Sequence, residues 1–179
     1  RRQKTEIQVP SSWNRFFASS LSLRYLNMSE SRLPPDAIKN VLLGIGSNPN
    51  IRDLEVNLSC NNLGGAGTDF VDNCFSHLNN VAALDISDNG LDMLVPLVVE
   101  QLVKTTGLKK LALGKNFNNI KPRHLPGVLE SVVKMIQEED SSLESLSLAD
   151  SKLKLETAQV INSLGGNTSL TDIDVSGNQ

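Results

Sequence analysis

The chain has 179 residues, of which 39% are hydrophobic and 21% are charged, as in ordinary globular domains. Its net charge of −3 is too small and too mixed to indicate a nucleic acid or an anionic membrane surface as a partner. No apolar run approaches the roughly 18 residues of a membrane-spanning helix, and the two cysteines are too few for a disulfide framework. A reducing, cytoplasmic location is the interpretation that this cysteine content favours.

Six stretches of the chain repeat one pattern of three aliphatic positions followed by a small polar residue. In chain order they are LRYLNMSES from Leu23, IRDLEVNLSCN from Ile51, VAALDISDN from Val81, LKKLALGKN from Leu108, LESLSLADS from Leu143 and LTDIDVSGN from Leu170. Their central aliphatic residues are Leu26, Val56, Leu84, Leu111, Leu146 and Ile173, which lie 27 to 35 residues apart. Self-similarity at this period is typical of leucine-rich repeats.

Each motif predicts a short strand, and the segment after it predicts a helix. Aliphatic residues two apart, such as Leu84 and Ile86, place one face of the strand in a core. The predicted helices are PPDAIKNVLLGI with Pro35 near its start, TDFVDNCFSHL with Thr68 as its cap, DMLVPLVVEQLVKT, LPGVLESVVKMIQEED and ETAQVINSLGGN. Before the first motif, SSWNRFFASS predicts the end of another repeat's helix, with Trp13, Phe16 and Phe17 in the core.

A strand and a helix of this length cannot stabilise themselves, so neighbouring repeats must bury the same leucines between them. The sequence therefore predicts an α/β leucine-rich repeat solenoid, a ribonuclease-inhibitor-like horseshoe with parallel strands on the concave face and helices on the convex face. Residues 1–179 form one array of about six repeats, which we expect to be a segment of a longer solenoid that continues at both ends.

Two motifs depart from the pattern. The alternation of Leu54, Val56 and Leu58 predicts a longer or bulged second strand. The fourth unit is 35 residues long and carries NNIKPRHLPG before its helix, which predicts a loop insertion.

The polar residue that ends each motif is expected to have a structural role. These residues are Asn61, Asn89, Asn116 and Asn178, with serine at positions 31 and 151. A buried asparagine amide can satisfy backbone groups left open where the chain leaves a strand.

The sequence offers no constellation that indicates catalysis or cofactor binding. His77 and His124 are the two histidines, and neither belongs to a cluster with metal-ligand spacing. DISDNG from Asp85 and DIDVSG from Asp172 lack the glutamate that closes a calcium loop. No nucleophile with an adjacent base can be named, so the prediction is a non-enzymatic protein without cofactor or metal.

Exposed strand positions on the inner face are the expected partner-binding surface, because curved repeat proteins usually bind there. They include Arg24, Tyr25, Asp85, Asp88, Lys109, Lys110, Lys115, Asp150, Asp172 and Asp174, together with Glu30, Glu55 and Glu144. Lysines gather on the fourth strand, and carboxylates on the third, fifth and sixth. Since such a face can also be merely solvated, a scaffold role without direct contacts stays open.

The sequences of several repeats resemble those of one protein family. LALGKNFN at 111–118, QEED at 137–140, LESLSLADSKLKL at 143–155, LNMSESRLPPDAI at 26–38 and LDISDNGL at 84–91 closely resemble the leucine-rich repeat domain of the CARMIL family, the capping protein, Arp and myosin-I linkers. The resemblance implies a protein-interaction scaffold within a regulator of actin capping protein and of filament assembly at the leading edge.

The resemblance also implies features that lie outside these residues. In the family, a tail with a basic motif binds capping protein, a PH-like domain associates with the plasma membrane, and a helical region dimerises. No match to the capping-protein motif occurs in this chain. Two other classes remain open, namely a leucine-rich repeat activator of a small GTPase and a ribonuclease-inhibitor-like binding or sensor protein.

Overall fold

The computed structural model describes residues 11–179, which form a single six-stranded parallel sheet with the strands in chain order. The strands are β1 Tyr25–Asn27, β2 Leu54–Asn57, β3 Val81–Asp85, β4 Lys110–Ala112, β5 Ser145–Ser147 and β6 Asp172–Asp174. The helices are α1 Ser11–Ser19, α2 Pro35–Ser47, α3 Thr68–Val71, α4 Val95–Val103, α5 Leu125–Gln137 and α6 Thr157–Ser163. Short 3₁₀ helices occupy Leu63–Ala66, Asp92–Leu94, Lys154–Glu156 and Leu164–Gly166.

The register of the sheet follows the repeat. The six central aliphatic residues pair strand to strand as a continuous row of Leu26, Val56, Leu84, Leu111, Leu146 and Ile173. Because side chains alternate along a strand, a slip of one residue would expose this whole row to solvent. The strand periodicity therefore determines both the register and the stacking of the repeats, and the α/β leucine-rich repeat solenoid is confirmed.

The core lies between the sheet and the helices. A second buried row follows the first two residues later and includes Leu58, Ile86, Leu113 and Leu148, each of which has no measurable exposure. Helical residues such as Val99 and Val132 close the core from the other side. A fully buried leucine contributes about 1.5–3 kcal/mol, so each repeat depends on the rows of its neighbours for stability.

The helix of the second repeat is much shorter than the sequence predicts. The segment TDFVDNCFSHL forms only the single turn Thr68–Val71, because the backbone is extended at Asp72, with ψ of 125°, and left-handed at Asn73, with φ of 65°. The backbone N–H of Phe75 then bonds to the Gln101 side chain at 2.8 Å, which supports the turn from the next repeat. Thr68 is not a side-chain cap, since Gly67 holds the cap position with φ of 85°.

The two irregular repeats differ from expectation in detail. The sheet is bulged between β2 and β3, but the extra residue belongs to β3, where Val81 pairs with Leu54 and Ala83 with Glu55. In the fourth repeat, only part of NNIKPRHLPG is a loop. Its last three residues, Leu125 to Gly127, form the first turn of α5, so the additional length extends the helix as well.

The aromatic stripe of α1 is only partly in the core. Trp13 and Phe17 pack against the core, whereas Phe16 is 55% exposed and contacts Phe17 edge to face. The prediction that all three rings are buried is therefore wrong for Phe16. The residues before Ser11 lie outside the described part of the chain.

Candidate interaction surface

The sheet face turned away from the helices carries two rows of side chains, one on each side of the central buried row. The first row, here called the entry row, consists of Tyr25, Glu55, Ala83, Lys110, Ser145 and Asp172. The second, the exit row, consists of Asn27, Asn57, Asp85, Ala112, Ser147 and Asp174. Residues from six sequence repeats thereby become neighbours on one surface.

A third row follows in the turn where each repeat leaves the sheet. This turn row consists of Glu30, Cys60, Asp88, Lys115, Asp150 and Gly177, all left-handed with φ between 52° and 67°. Asp88, Lys115 and Asp150 were predicted on strands, but in the structure they lie in this turn. A left-handed residue turns the chain sharply out of the strand, which leaves the side chain at the rim of the sheet.

The exit row is engaged in local hydrogen bonds. Asp85 Oδ1 accepts from the backbone N–H of Ser87 at 2.9 Å and from its hydroxyl at 2.6 Å. Asp174 accepts the same two bonds from Ser176, which lower the pKa of its carboxyl below the usual value. Asn57 repeats the arrangement with Ser59. These side chains stabilise the turn after the strand, so only part of their hydrogen-bonding capacity remains available to a partner.

The asparagines that end the motifs lie beneath the turn row and bond between repeats. Asn89 is fully buried, and its Oδ1 accepts from the backbone N–H groups of Asn61 at 2.9 Å and Leu63 at 3.3 Å. Its Nδ2 donates to the carbonyls of Leu58 and Ile86.

The other members of this set repeat the geometry with their own neighbours. Asn116 accepts from the N–H groups of Asn89 and Leu91, and Asn178 accepts from those of Ser151 and Leu153. Asn61 accepts from the backbone and the hydroxyl of Ser31. Ser151 interrupts the series, because its short hydroxyl reaches only the Lys115 N–H at 3.2 Å and the Ala149 carbonyl at 3.1 Å.

A second set of inter-repeat amides lies where each helix returns to the next strand. Asn48 Nδ2 donates to the carbonyls of Phe17 at 2.9 Å and Ser20 at 2.7 Å. Asn80 donates to Ile45, and Asn167 to Ile136, both at 2.7 Å. This set was not predicted from the sequence, because the number of residues between each asparagine and the motif that follows it varies. The feature that could have indicated it is that an asparagine recurs within a few residues before several motifs.

A groove of about 270 Å³ runs across the sheet face from the first to the fifth strand. The groove exists because the entry and exit rows have small side chains at Ala83, Ala112, Ser145 and Ser147, which leave space above the strands. Tyr25 and Lys110 are exposed and line it. The groove can therefore accept an elongated ligand that crosses the strands.

On this face one basic repeat, the fourth, lies between acidic repeats. The third repeat presents Asp85 and Asp88, and the fourth presents three lysines at 109, 110 and 115. The fifth presents Glu144 and Asp150, and the sixth presents Asp172 and Asp174. Arg24 and Lys109 lie just before their strands, at the edge of the sheet where the strands begin.

The remaining reactive groups do not form a catalytic arrangement. Cys74 is buried, which raises the pKa of its thiol to about 12. Cys60 lies in the turn row, where burial and the carboxylate of Asp88, 3.4 Å from its sulfur, raise its pKa. Within residues 11–179, histidine, cysteine and acidic side chains form no group of three suited to a metal ion. None of the helices described is long and apolar enough to cross a membrane.

Comparison with known proteins gives a consistent result. The leucine-rich repeat domain model of the CARMIL family matches residues 1–179. "Capping protein, Arp2/3 and myosin-I linker protein 3" of Rattus norvegicus is 42% identical over 171 residues, covering 96% of this chain and 12% of the relative. "Protein CARMIL" of Dictyostelium discoideum is 33% identical over 171 residues, covering 92% of this chain and 16% of the relative. The chain thus spans less than a fifth of the length of these curated relatives.

The fold comparison extends further than the sequence comparison. The tropomodulin C-terminal domain of Caenorhabditis elegans superimposes with a TM-score of 0.64, over 90% of this chain and 93% of that domain. The two share 14% sequence identity, so the likeness concerns the fold alone.

Proposed function

The chain belongs to the CARMIL family, and from that premise we propose that it is a non-enzymatic, protein-binding repeat segment of a regulator of actin filament assembly. The observation that carries the proposal is the match of the family's repeat domain to the whole chain, together with 42% identity to a capping protein, Arp2/3 and myosin-I linker. The proposal extends to actin capping protein as a partner of the complete protein.

The sheet face supports a role in protein binding. Solenoids of stacked repeats use the surface formed by their parallel strands as an extended recognition surface. Here that surface combines a groove of about 270 Å³, the 56% exposed ring of Tyr25 and the charged side chains of strands three to six. The residues that we propose as contacts are those expected from the sequence, and all of them but the partly buried Asp85 are exposed. They are Arg24, Tyr25, Asp85, Asp88, Lys109, Lys110, Lys115, Asp150, Asp172 and Asp174.

The remaining elements of the proposal concern the complete protein. We place the chain inside a longer repeat array that is followed by a capping-protein-binding tail and a dimerising region. Cytoplasmic location, cytoskeletal association and recruitment to the plasma membrane at lamellipodia are part of the same proposal, with recruitment through a separate domain. No nucleic acid takes part in it.

Tagging the complete protein at its own gene and recovering it from cytosol tests this function. Mass spectrometry is expected to identify both subunits of actin capping protein. The matched control is the same protein with residues 11–179 deleted. Capping protein is expected to be recovered equally from both, because its binding motif lies elsewhere. Recovery of a small GTPase with no capping protein would reject the proposal and favour a GTPase activator.

A further inference from the structure

The order of charges across the sheet face, with basic side chains on the fourth repeat and acidic ones on the repeats to either side, specifies the kind of ligand that fits it. We infer that the groove binds an α-helical segment lying across the strands, which presents an acidic side chain to the fourth strand and basic side chains to the strands on either side. This inference rests on the proposed protein-binding function and deepens it, since it names the secondary structure and the charge order of the partner.

The spacing of the strands favours a helix over an extended ligand. Neighbouring strands lie about 4.8 Å apart, and an α-helix advances about 5.4 Å per turn, so successive turns meet successive strands. In an extended peptide, side chains on one face recur about every 6.6 Å, which is longer than the spacing of the strands. After two strands they no longer lie opposite the side chains of the repeats. The strands are only three to five residues long, about 10–17 Å, which suits the 10–12 Å diameter of one helix.

The charge order determines which helix fits. At the third and fifth repeats the surface offers Asp88 and Asp150, and between them Lys110 and Lys115 rise from the fourth. Residues three or four positions apart lie on the same face of a helix, one turn after another. A helix face with the charge order basic, basic, acidic, basic, basic would therefore place an opposite charge over every repeat from the second to the sixth, with its acidic residue over the lysines of the fourth. Since that order is symmetrical, the helix can lie in either direction.

The small side chains of the groove allow such a helix to approach. Lys110 pairs with Ala83 on β3 and with Ser145 on β5, and Ala112 lies two residues further along β4 on the same face. A helix backbone can therefore come close to the sheet while its charged side chains reach the acidic and basic residues on both rims. Opposite charges across such a surface determine specificity and register more than they increase affinity.

Binding of two synthetic peptides to the 179-residue chain tests the inference. Both are 18-residue, alanine-based helices with four lysines and one glutamate on one face. The matched peptide has the glutamate in the middle of the series, whereas the permuted peptide has it at one end. Because composition and net charge are identical, a difference in fluorescence anisotropy titrations reports charge order when circular dichroism shows the two peptides to be equally helical. The matched peptide is expected to bind at least threefold more tightly at 50 mM salt, and the difference is expected to shrink at 300 mM salt.

Variants of the chain make the test specific to the groove. Lys110→Glu is expected to lower the affinity for the matched peptide roughly three- to tenfold, because one attraction is lost and one repulsion is added. Lys134→Glu makes the same charge change on the exposed side of α5 and is expected to leave the affinity for both peptides unchanged. Both positions are exposed, and unchanged circular dichroism melting curves establish that both variants fold.

Several outcomes would overturn the inference. They are equal affinity for the two peptides, no binding of either peptide at millimolar concentration, and equal losses from the two lysine variants. A matched peptide carrying a central proline that binds as tightly as the helical form would overturn the helical assignment. Recovery of capping protein from the complete protein does not depend on these titrations, so failure of this inference and failure of the proposed function are distinguishable.

Discussion

Replacing Asn89 by alanine removes an amide that is fully buried between two repeats, and the cost can be worked out from its partners. The carbonyls that Asn89 bonds keep a second donor, because Leu58 O also accepts from Asn61 and Ile86 O also accepts from Asn116. The N–H groups of Asn61 and Leu63 have no such substitute among the hydrogen bonds described. The orphaned N–H of Leu63 is buried and that of Asn61 is partly buried, so at about 1–2 and about 0.5–1 kcal/mol they predict a loss of about 1.5–3 kcal/mol in the free energy of unfolding.

Urea denaturation followed by circular dichroism measures this loss. The matched control is Asn162→Ala, which removes the same amide from an exposed position of α6 and is expected to change stability by less than about 0.5 kcal/mol. Asn89→Asp keeps the shape and the acceptor but removes the donor, and it is expected to be at least as destabilising as alanine because it places a carboxylate against buried carbonyls. A loss from Asn89→Ala no larger than that from Asn162→Ala would refute the structural role of the buried asparagines.

Three further predictions follow from particular contacts. Gly64→Ala is expected to destabilise the fold strongly, because a Cβ there would lie 1.9 Å from the Gly90 carbonyl oxygen, whereas Gly127→Ala in α5 meets no atom within 4 Å and is expected to stabilise by about 0.5–1 kcal/mol in the same urea assay. At pH 8 a disulfide reagent is expected to label Cys60 and to reach Cys74 only after unfolding, since burial raises the pKa of the Cys74 thiol to about 12 and the thiolate is the reactive form. Asp88→Asn is expected to move the pH profile of Cys60 labelling to lower pH, because that carboxylate contributes to the raised pKa of the thiol; an unshifted profile would contradict the contact.

The strands and their register could be predicted because burial leaves little choice. A period of two in short strands identifies which side chains face the core, and Leu84 and Leu111 pair as their positions in the motif indicate. The helices after β1 and β4 were also predictable, since Pro35 begins the first of them and the spacing of Val128, Val132 and Ile136 gives the second one buried face.

What could not be predicted depends on neighbouring repeats or on local turn geometry. Nothing in TDFVDNCFSHL indicates that Gln101 of the following repeat supports a turn at Phe75, so a full helix was the natural expectation. A longer or bulged β2 was expected because its leucines alternate further, whereas the extra residue of β3 is visible only once the strands pair. Similarly, Asp85 reads as a free carboxylate in the sequence, and only the turn at Ser87 shows that one of its oxygens is engaged.

Disulfide trapping across the sheet tests the central claim, that distant repeats place their residues side by side in this register. In a chain carrying Cys60→Ser, cysteines at positions 110 and 145 would occupy paired sites on β4 and β5, whose Cα atoms lie about 4.8 Å apart, within the range of a disulfide. Cysteines at 110 and 147 would lie two residues out of register, about 8 Å apart, beyond that range. The register of β4 and β5 predicts rapid oxidation of the first pair and little of the second; equal trapping of both pairs, or preference for the second, would contradict it.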